Sequence, residues 1–190
     1  MKQVTGMIVA LVAIVLLGGC WLVSQRNGLI AMDEGVNKAW SDIDTQLQRR
    51  NDLIPNLVST VKGYAAHEEG VFTGIADARS KLAGATSVKD KAEADAALTA
   101  GLGRLLAIAE NYPELKANEN FIRLQDELAG TENRIAVARK RYNDDVKRYN
   151  MSIRQIPGSF FAGGLGLTSR DYFEPPQGHD AVVNAPKVEF

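Results

Sequence analysis

Residues 40–68 read WSDIDTQLQRRNDLIPNLVSTVKGYAAHE. With Val36 just ahead, the apolar side chains fall at Trp40, Ile43, Leu47, Ile54, Val58, Val61 and Ala65. Steps of three and four residues, with one of seven from Leu47 to Ile54, put one stripe along a long amphipathic helix. Arg49, Arg50, Asp52, Asn56 and Lys62 fall on its other face. Helix-compatible sequence extends from residue 31 to residue 82, with Pro55 as its one internal proline. That proline removes a backbone donor and crowds the carbonyl four residues back, at Asn51. Gly63, Gly70 and Gly74 each lower helicity by up to ~1 kcal/mol against alanine and mark places where another helix can come close. Gly84-Ala85-Thr86 ends the element.

Downstream, Ser87 with Asp90 three residues on has the form of a helix N-cap. Val88, Ala92, Leu98, Leu102, Leu105 and Ala109 give a second apolar stripe, broken at Asn111-Tyr112-Pro113. The third stripe is the most regular: Phe121, Leu124, Leu128, Thr131, Ile135, Ala138, Tyr142, Val146, Tyr149 and Ile153. It is a heptad-like seam. Asn143 and Asn150 lie seven residues apart beside it, as either a polar pair at a binding surface or a pair that fixes helix register. Residues 134–154 hold seven Lys/Arg and two Asp. This is a solvated face with favourable charge at a helix C-terminus, or a contact for anionic lipid headgroups. At ~1.5 Å per residue the three helices measure about 75–80, 33 and 55 Å, which fits a hairpin or an up-down-up bundle.

Residues 4–23 are uncharged, about the length a bilayer-spanning helix needs. Lys2 precedes the run, Arg26 follows it, and Trp21 is placed as an interfacial anchor. Leu17-Gly18-Gly19-Cys20 has the form of a lipobox, in which the cysteine is lipidated and the leader removed. The apolar Trp21-Leu22-Val23 beyond it favours an uncleaved transmembrane helix instead. Positive charges flank the run almost evenly, so they do not orient it.

Ile156-Pro157-Gly158 stops the third helix. The segment after it, FFAGGLGLTSRDYF, is followed by Pro175, Pro176 and Pro186. Phe160, Phe161, Leu165 and Leu167 are too apolar for a linker, and would dock on the bundle, on a second copy, or in a membrane interface. The expected organisation is an anchor at 1–26, a helical bundle at 27–156 and a tail at 157–190. The fold class is all-α: an N-terminal transmembrane helix followed by an antiparallel bundle of three to four long helices.

A net charge of −1 over 190 residues gives no whole-protein pull toward nucleic acid or membrane lipid. One cysteine and two histidines rule out a disulfide framework and disfavour a protein-built zinc site. No phosphate-binding glycine loop is present, and no cofactor is expected. His67-Glu68-Glu69 is the one place where a histidine adjoins carboxylates. The second histidine that a zinc hydrolase helix needs would stand at position 71, which is valine. Ser41, Ser59, Ser80 and Ser87 have no histidine at helical spacing, and His179 lies far off in the tail. A non-enzyme is expected.

The chain resembles the bacterial LemA family. The resemblance is carried by Ala39-Trp40, Gln46-Leu47, Arg49-Arg50, Asp52-Leu53-Ile54-Pro55-Asn56-Leu57-Val58 and Thr60-Val61-Lys62-Gly63-Tyr64-Ala65. It continues through Glu110-Asn111-Tyr112-Pro113, Leu115-Lys116-Ala117-Asn118, Thr131-Glu132-Asn133-Arg134-Ile135, Ala138-Arg139 and Tyr142-Asn143. It covers roughly residues 28–174, with several long motifs in order. It implies a membrane-anchored antiparallel helical bundle with the N-terminal segment as anchor, and it does not imply an enzymatic activity. It also implies roles in membrane stress or envelope organisation, beside membrane proteases and TPM-domain proteins. Some members carry the anchor as a lipoprotein; Cys20 lies further upstream than theirs. Two functional readings follow. One is a scaffold that self-assembles at the bacterial inner membrane as a homo-oligomer in contact with lipid. The other is an adaptor for a membrane protease or TPM-domain protein. A lipidated Cys20 would instead place the bundle outside the cytoplasm. Arg49, Arg50, Asp52, Glu132 and Arg139 read as interhelical ion pairs, individually of small worth if exposed, or as a docking patch together with Asn143, Asn150, Phe160 and Phe161.

Overall fold

The computed structural model describes residues 2–174. Pro175, Pro176, His179 and Pro186 lie outside them. The described residues form six α-helices and one 3-10 turn and no strand, so the all-α expectation holds. Helix α1 spans Lys2–Lys62, α2 Glu69–Gly84, α3 Val88–Ala109, α4 Pro113–Lys116, α5 Glu119–Arg154 and α6 Gly158–Ala162. The 3-10 turn is Gly163–Leu165.

The first helix is not continuous to residue 82. It ends at Lys62, and a turn intervenes in which Val61 O accepts from Tyr64 N (3.0 Å) and Ala65 N (2.9 Å). Arg79 Nε donates to Asn51 Oδ1 at 3.1 Å. An unbroken helix would set these residues ~42 Å apart at 1.5 Å per residue, so the chain reverses here. Lys62 then lies over the Phe72 ring, 5.1 Å from its centroid. His67 and Glu68 fall in this turn rather than within a helix. Other boundaries follow local chemistry. Ser87 Oγ accepts from Asp90 N at 3.0 Å and starts α3. Pro113 opens α4, where its missing N–H costs nothing. Asn118 Oδ1 accepts from Asn120 N (3.0 Å) and Phe121 N (3.2 Å) and starts α5.

The chain divides into two compact units: Met1–Ala39 with Asp144–Arg170, and Trp40–Asn143 with Asp171–Phe190. In the second, α1 buries Ile43, Leu47, Ile54, Leu57 and Val61. Helices α2 and α3 pack against each other; α2 buries Phe72, Ile75, Ala78 and Leu82, and α3 buries Ala92, Leu98, Leu102 and Leu105. Helix α5 contributes Phe121, Leu124, Ile135 and Tyr142. The seam on α1 also departs from the expected one, with Leu57 buried and Val58 only half-buried. The buried places run 43, 47, 50, 54, 57, 61, so Arg50 stands in the seam at 4% exposure rather than on the outer face.

The first unit buries Leu29, Val36, Val146, Tyr149, Ile153, Gly158 and Ala162. A Cβ on Gly158 would collide with the Ser152 carbonyl oxygen and lie 3.5 Å from Leu29 Cδ2, so α6 is seated closely against α1 here. The N-terminal part of α1 differs in kind. Leu11, Ile14, Val15, Leu16 and Leu17 are all exposed, on a helix long and apolar enough to cross a membrane. Cys20 is exposed within it.

Candidate functional site

The Trp40–Asn143 unit holds a buried charge cluster. Arg50 donates from one terminal nitrogen to Asp95 Oδ1 at 2.7 Å, and that nitrogen stands 2.9 Å from Glu132 Oε2. Arg50 and Asp95 side chains are 5% and 4% exposed, whereas Glu132 is 43% exposed. Arg50 Nε and Gln46 Oε1 are buried with no hydrogen-bond partner. Two carboxylates thus share one buried guanidinium. Burial pushes the Asp95 carboxyl above the usual aspartate range; Arg50 opposes this and Glu132 adds to it.

That direction fixes a pH dependence. A carboxyl whose folded pKa is raised favours folding below its ordinary range, near ~4, and loses that contribution as pH rises through the folded value. The Asp95→Asn variant cannot ionise at this site. Its stability relative to the unmodified chain is expected to improve as pH rises from the ordinary carboxyl range through the raised folded value and to level off above it, measured by urea unfolding at a series of pH values. A difference that stays flat with pH would remove the raised carboxyl from the account.

In the same unit Trp40 lies against Tyr142 and Phe173, with ring centroids 5.6 and 6.1 Å away. The Arg139 guanidinium lies 5.7 Å from the Phe173 ring. Asn143 binds the backbone of Phe173 twice: its Nδ2 donates to Phe173 O (3.2 Å) and its Oδ1 accepts from Phe173 N (2.9 Å). Tyr142 donates to Asp171 O at 2.8 Å.

The other unit repeats this chemistry with its own residues. Asn150 Nδ2 donates to Arg170 O and its Oδ1 accepts from Arg170 N, both at 2.9 Å. Tyr149 donates to Thr168 O at 3.0 Å. The Arg170 guanidinium donates to Asp33 Oδ1 at 2.8 Å and to Asn37 Oδ1 at 3.3 Å. The bond to Asp33 raises the Arg170 pKa further, and burial, then the Asp33 charge, raise that of the Tyr149 hydroxyl. A Tyr-Asn pair therefore occurs twice, seven residues apart, and its backbone targets are three residues apart. Seven helical residues and three extended ones cover about the same distance, ~10 Å.

The remaining sequence candidates are dispersed. Arg49 and Asp52 are exposed; Asp52 lines a cleft of about 290 Å³ with Asp44, Gln48, Asn51 and Lys91. Lys91 pairs with Asp44 and stands 5.6 Å from the Trp40 ring. Phe160 is exposed and Phe161 half-buried. Asp95, Asp33 and Arg170 were not singled out by the sequence. The usable signal for Asp95 is its place in the gap between Ala92 and Leu98 on the buried stripe of α3. Among the described residues, no group of three or more His, Cys, Asp or Glu is placed to hold a metal ion.

The model of the LemA family matches residues 39–190. The chain belongs to the LemA family. The match leaves the apolar run at 4–23 outside it. Among similar proteins are the magnetosome proteins MamQ 1 and MamQ 2 of Paramagnetospirillum magneticum and MamQ of Magnetospirillum gryphiswaldense. Each is 25% identical, over 88% of this chain and 71% of its own length. Protein LemA of Metamycoplasma hominis is 25% identical over 69% of this chain and 60% of its own. None of these descriptions names a reaction. This LemA-family chain joins an apolar helix to packed helices, and its conspicuous polar groups bind other parts of their own unit.

Proposed function

We propose that the protein is a membrane-anchored, non-enzymatic helical scaffold that self-assembles at the bacterial envelope, in membrane organisation or stress. The observation that carries this reading is the continuity of α1. One helix runs from the exposed apolar stretch into buried Leu29 and Val36. The anchor enters its unit without a linker, as suits a fixed membrane mount better than a tethered catalytic domain. In the other unit Leu106, Ile122 and Val137 stand exposed, Val137 at 51%. Contact between copies would remove that apolar surface from water.

Two measurements on the full chain in its native membrane test the reading. Intact mass distinguishes a chain that begins at Met1 from one that begins at a lipid-modified Cys20; the expected result is Met1 and a single-pass inner-membrane helix. Chemical cross-linking is expected to give a ladder of homo-oligomers. One foreign band without a ladder would overturn self-assembly and favour an adaptor for a membrane protease or TPM-domain protein.

A further inference from the structure

Ile156 and Phe160 are the two most exposed large apolar side chains among the described residues, at 78% and 76%. Both exceed every described large apolar side chain of the run on α1; Met7 there reaches 73%. Yet they belong to a well-packed corner. Between and beyond them Ile153, Gly158 and Ala162 are buried. Gly158 approaches Leu29 on α1 closely enough that a Cβ would lie 3.5 Å from Leu29 Cδ2. The turn is therefore held by its inner face and presents two large apolar groups outward.

Where that corner sits decides what covers it. Leu29 is six residues beyond Val23, the last apolar residue of the membrane run. Six helical residues rise ~9 Å. The headgroup layer on each side of a bilayer is ~5–8 Å deep, and interfacial apolar groups lie ~5–10 Å into the headgroup boundary. A turn packed at the level of Leu29 thus stands at the edge of the headgroup layer, and a tilt of α1 lowers it further. The charges agree. Residues 24–32 and 151–167 contain Arg26 and Arg154 and no acidic residue. Both arginines are exposed, matching an anionic headgroup layer.

We propose that the 156–160 turn is a second membrane contact, in which Ile156 and Phe160 insert among lipid headgroups beside the point where α1 leaves the bilayer. The contact rests on the reading of α1 as a membrane anchor. It turns a single-helix attachment into a two-point one, which limits rotation of this unit about the α1 axis. A self-assembling scaffold gains a fixed orientation toward its neighbours from such a contact.

The test uses the full chain with Cys20→Ala, carrying either Ile156→Cys or Phe160→Cys labelled with an environment-sensitive fluorophore. Exposed positions tolerate such changes, and circular dichroism checks helicity. The protein is reconstituted into phosphatidylcholine–phosphatidylglycerol vesicles, with or without brominated acyl chains, and floated on a density gradient. The expected result is flotation, with label emission quenched about twofold by the brominated lipid and shielded from aqueous iodide. Flotation with both labels open to iodide and unquenched by bromine would overturn the second contact and leave the anchor standing. Loss of flotation would overturn both. Labels shielded from iodide, unquenched by bromine, and self-quenching as protein density rises would assign the turn to contact between copies, which also overturns the proposal.

Discussion

Replacing Arg50 with methionine is expected to lower stability by about 3–5 kcal/mol, the usual cost of removing one partner from a buried ion pair. The cost arises mainly at Asp95, whose side chain is 4% exposed and which would be left without its 2.7 Å partner. Glu132 is the contrast. Its side chain is 43% exposed, although the Oε2 that faces Arg50 is buried, and Glu132→Gln, which keeps a polar group there, is expected to cost less than Arg50→Met, about 1 kcal/mol. The double variant Arg50→Met, Asp95→Leu is expected to recover most of the loss, because two apolar groups of similar size need no partner. Urea unfolding of the four chains in a thermodynamic cycle measures the coupling. A double variant as unstable as the sum of the singles would mean that packing around the two side chains, not their pairing, sets the cost.

The sequence made the apolar seams legible and left this cluster hidden, for one reason. Periodicity locates a face, and a charge on that face is assigned to water because burying it alone is too costly. Leu47 to Ile54 is a seven-residue step, and Arg50 stands in its middle. Ala92 to Leu98 is a six-residue step, and Asp95 stands in its middle. Each gap fills the other's need, but the partners are 45 residues apart in the chain. Asp33 and Arg170, 137 residues apart, are hidden in the same way.

The helix ends show the converse. Ser87 and Pro113 act through neighbours within a few residues, and both were readable. The turn after Lys62 was not. Gly63, Gly70 and Gly74 are alike as weak helix formers, yet only Gly63 falls in a break while the other two lie inside α2. What distinguishes them is the pairing of Arg79 with Asn51 and of Lys62 with Phe72, which a local reading of the chain does not contain. Asn143 and Asn150 fall between these cases. Their heptad spacing was visible, but their targets are backbone groups, which carry no sequence signal at all.

Phe173→Ala is expected to cost about 3–5 kcal/mol, the range for emptying a buried phenylalanine site. Phe173 is 2% exposed, beside Trp40 and under Arg139, although the segment around it has no regular secondary structure. Its backbone is held separately, by the two bonds to Asn143. Asn143→Ala removes both, for a loss of about 1–3 kcal/mol at 0.5–1.5 each. The two variants separate anchoring by side chain from anchoring by backbone. Amide exchange gives the clearest readout: Asn143→Ala should strip protection from the Phe173 N–H while the aromatic contact persists. Phe173→Ala should lower protection throughout the Trp40–Asn143 unit, because it opens a void between Trp40 and Arg139. A Phe173→Ala variant less than about 1 kcal/mol below the parent would show that this segment rests on the bundle without being part of its core.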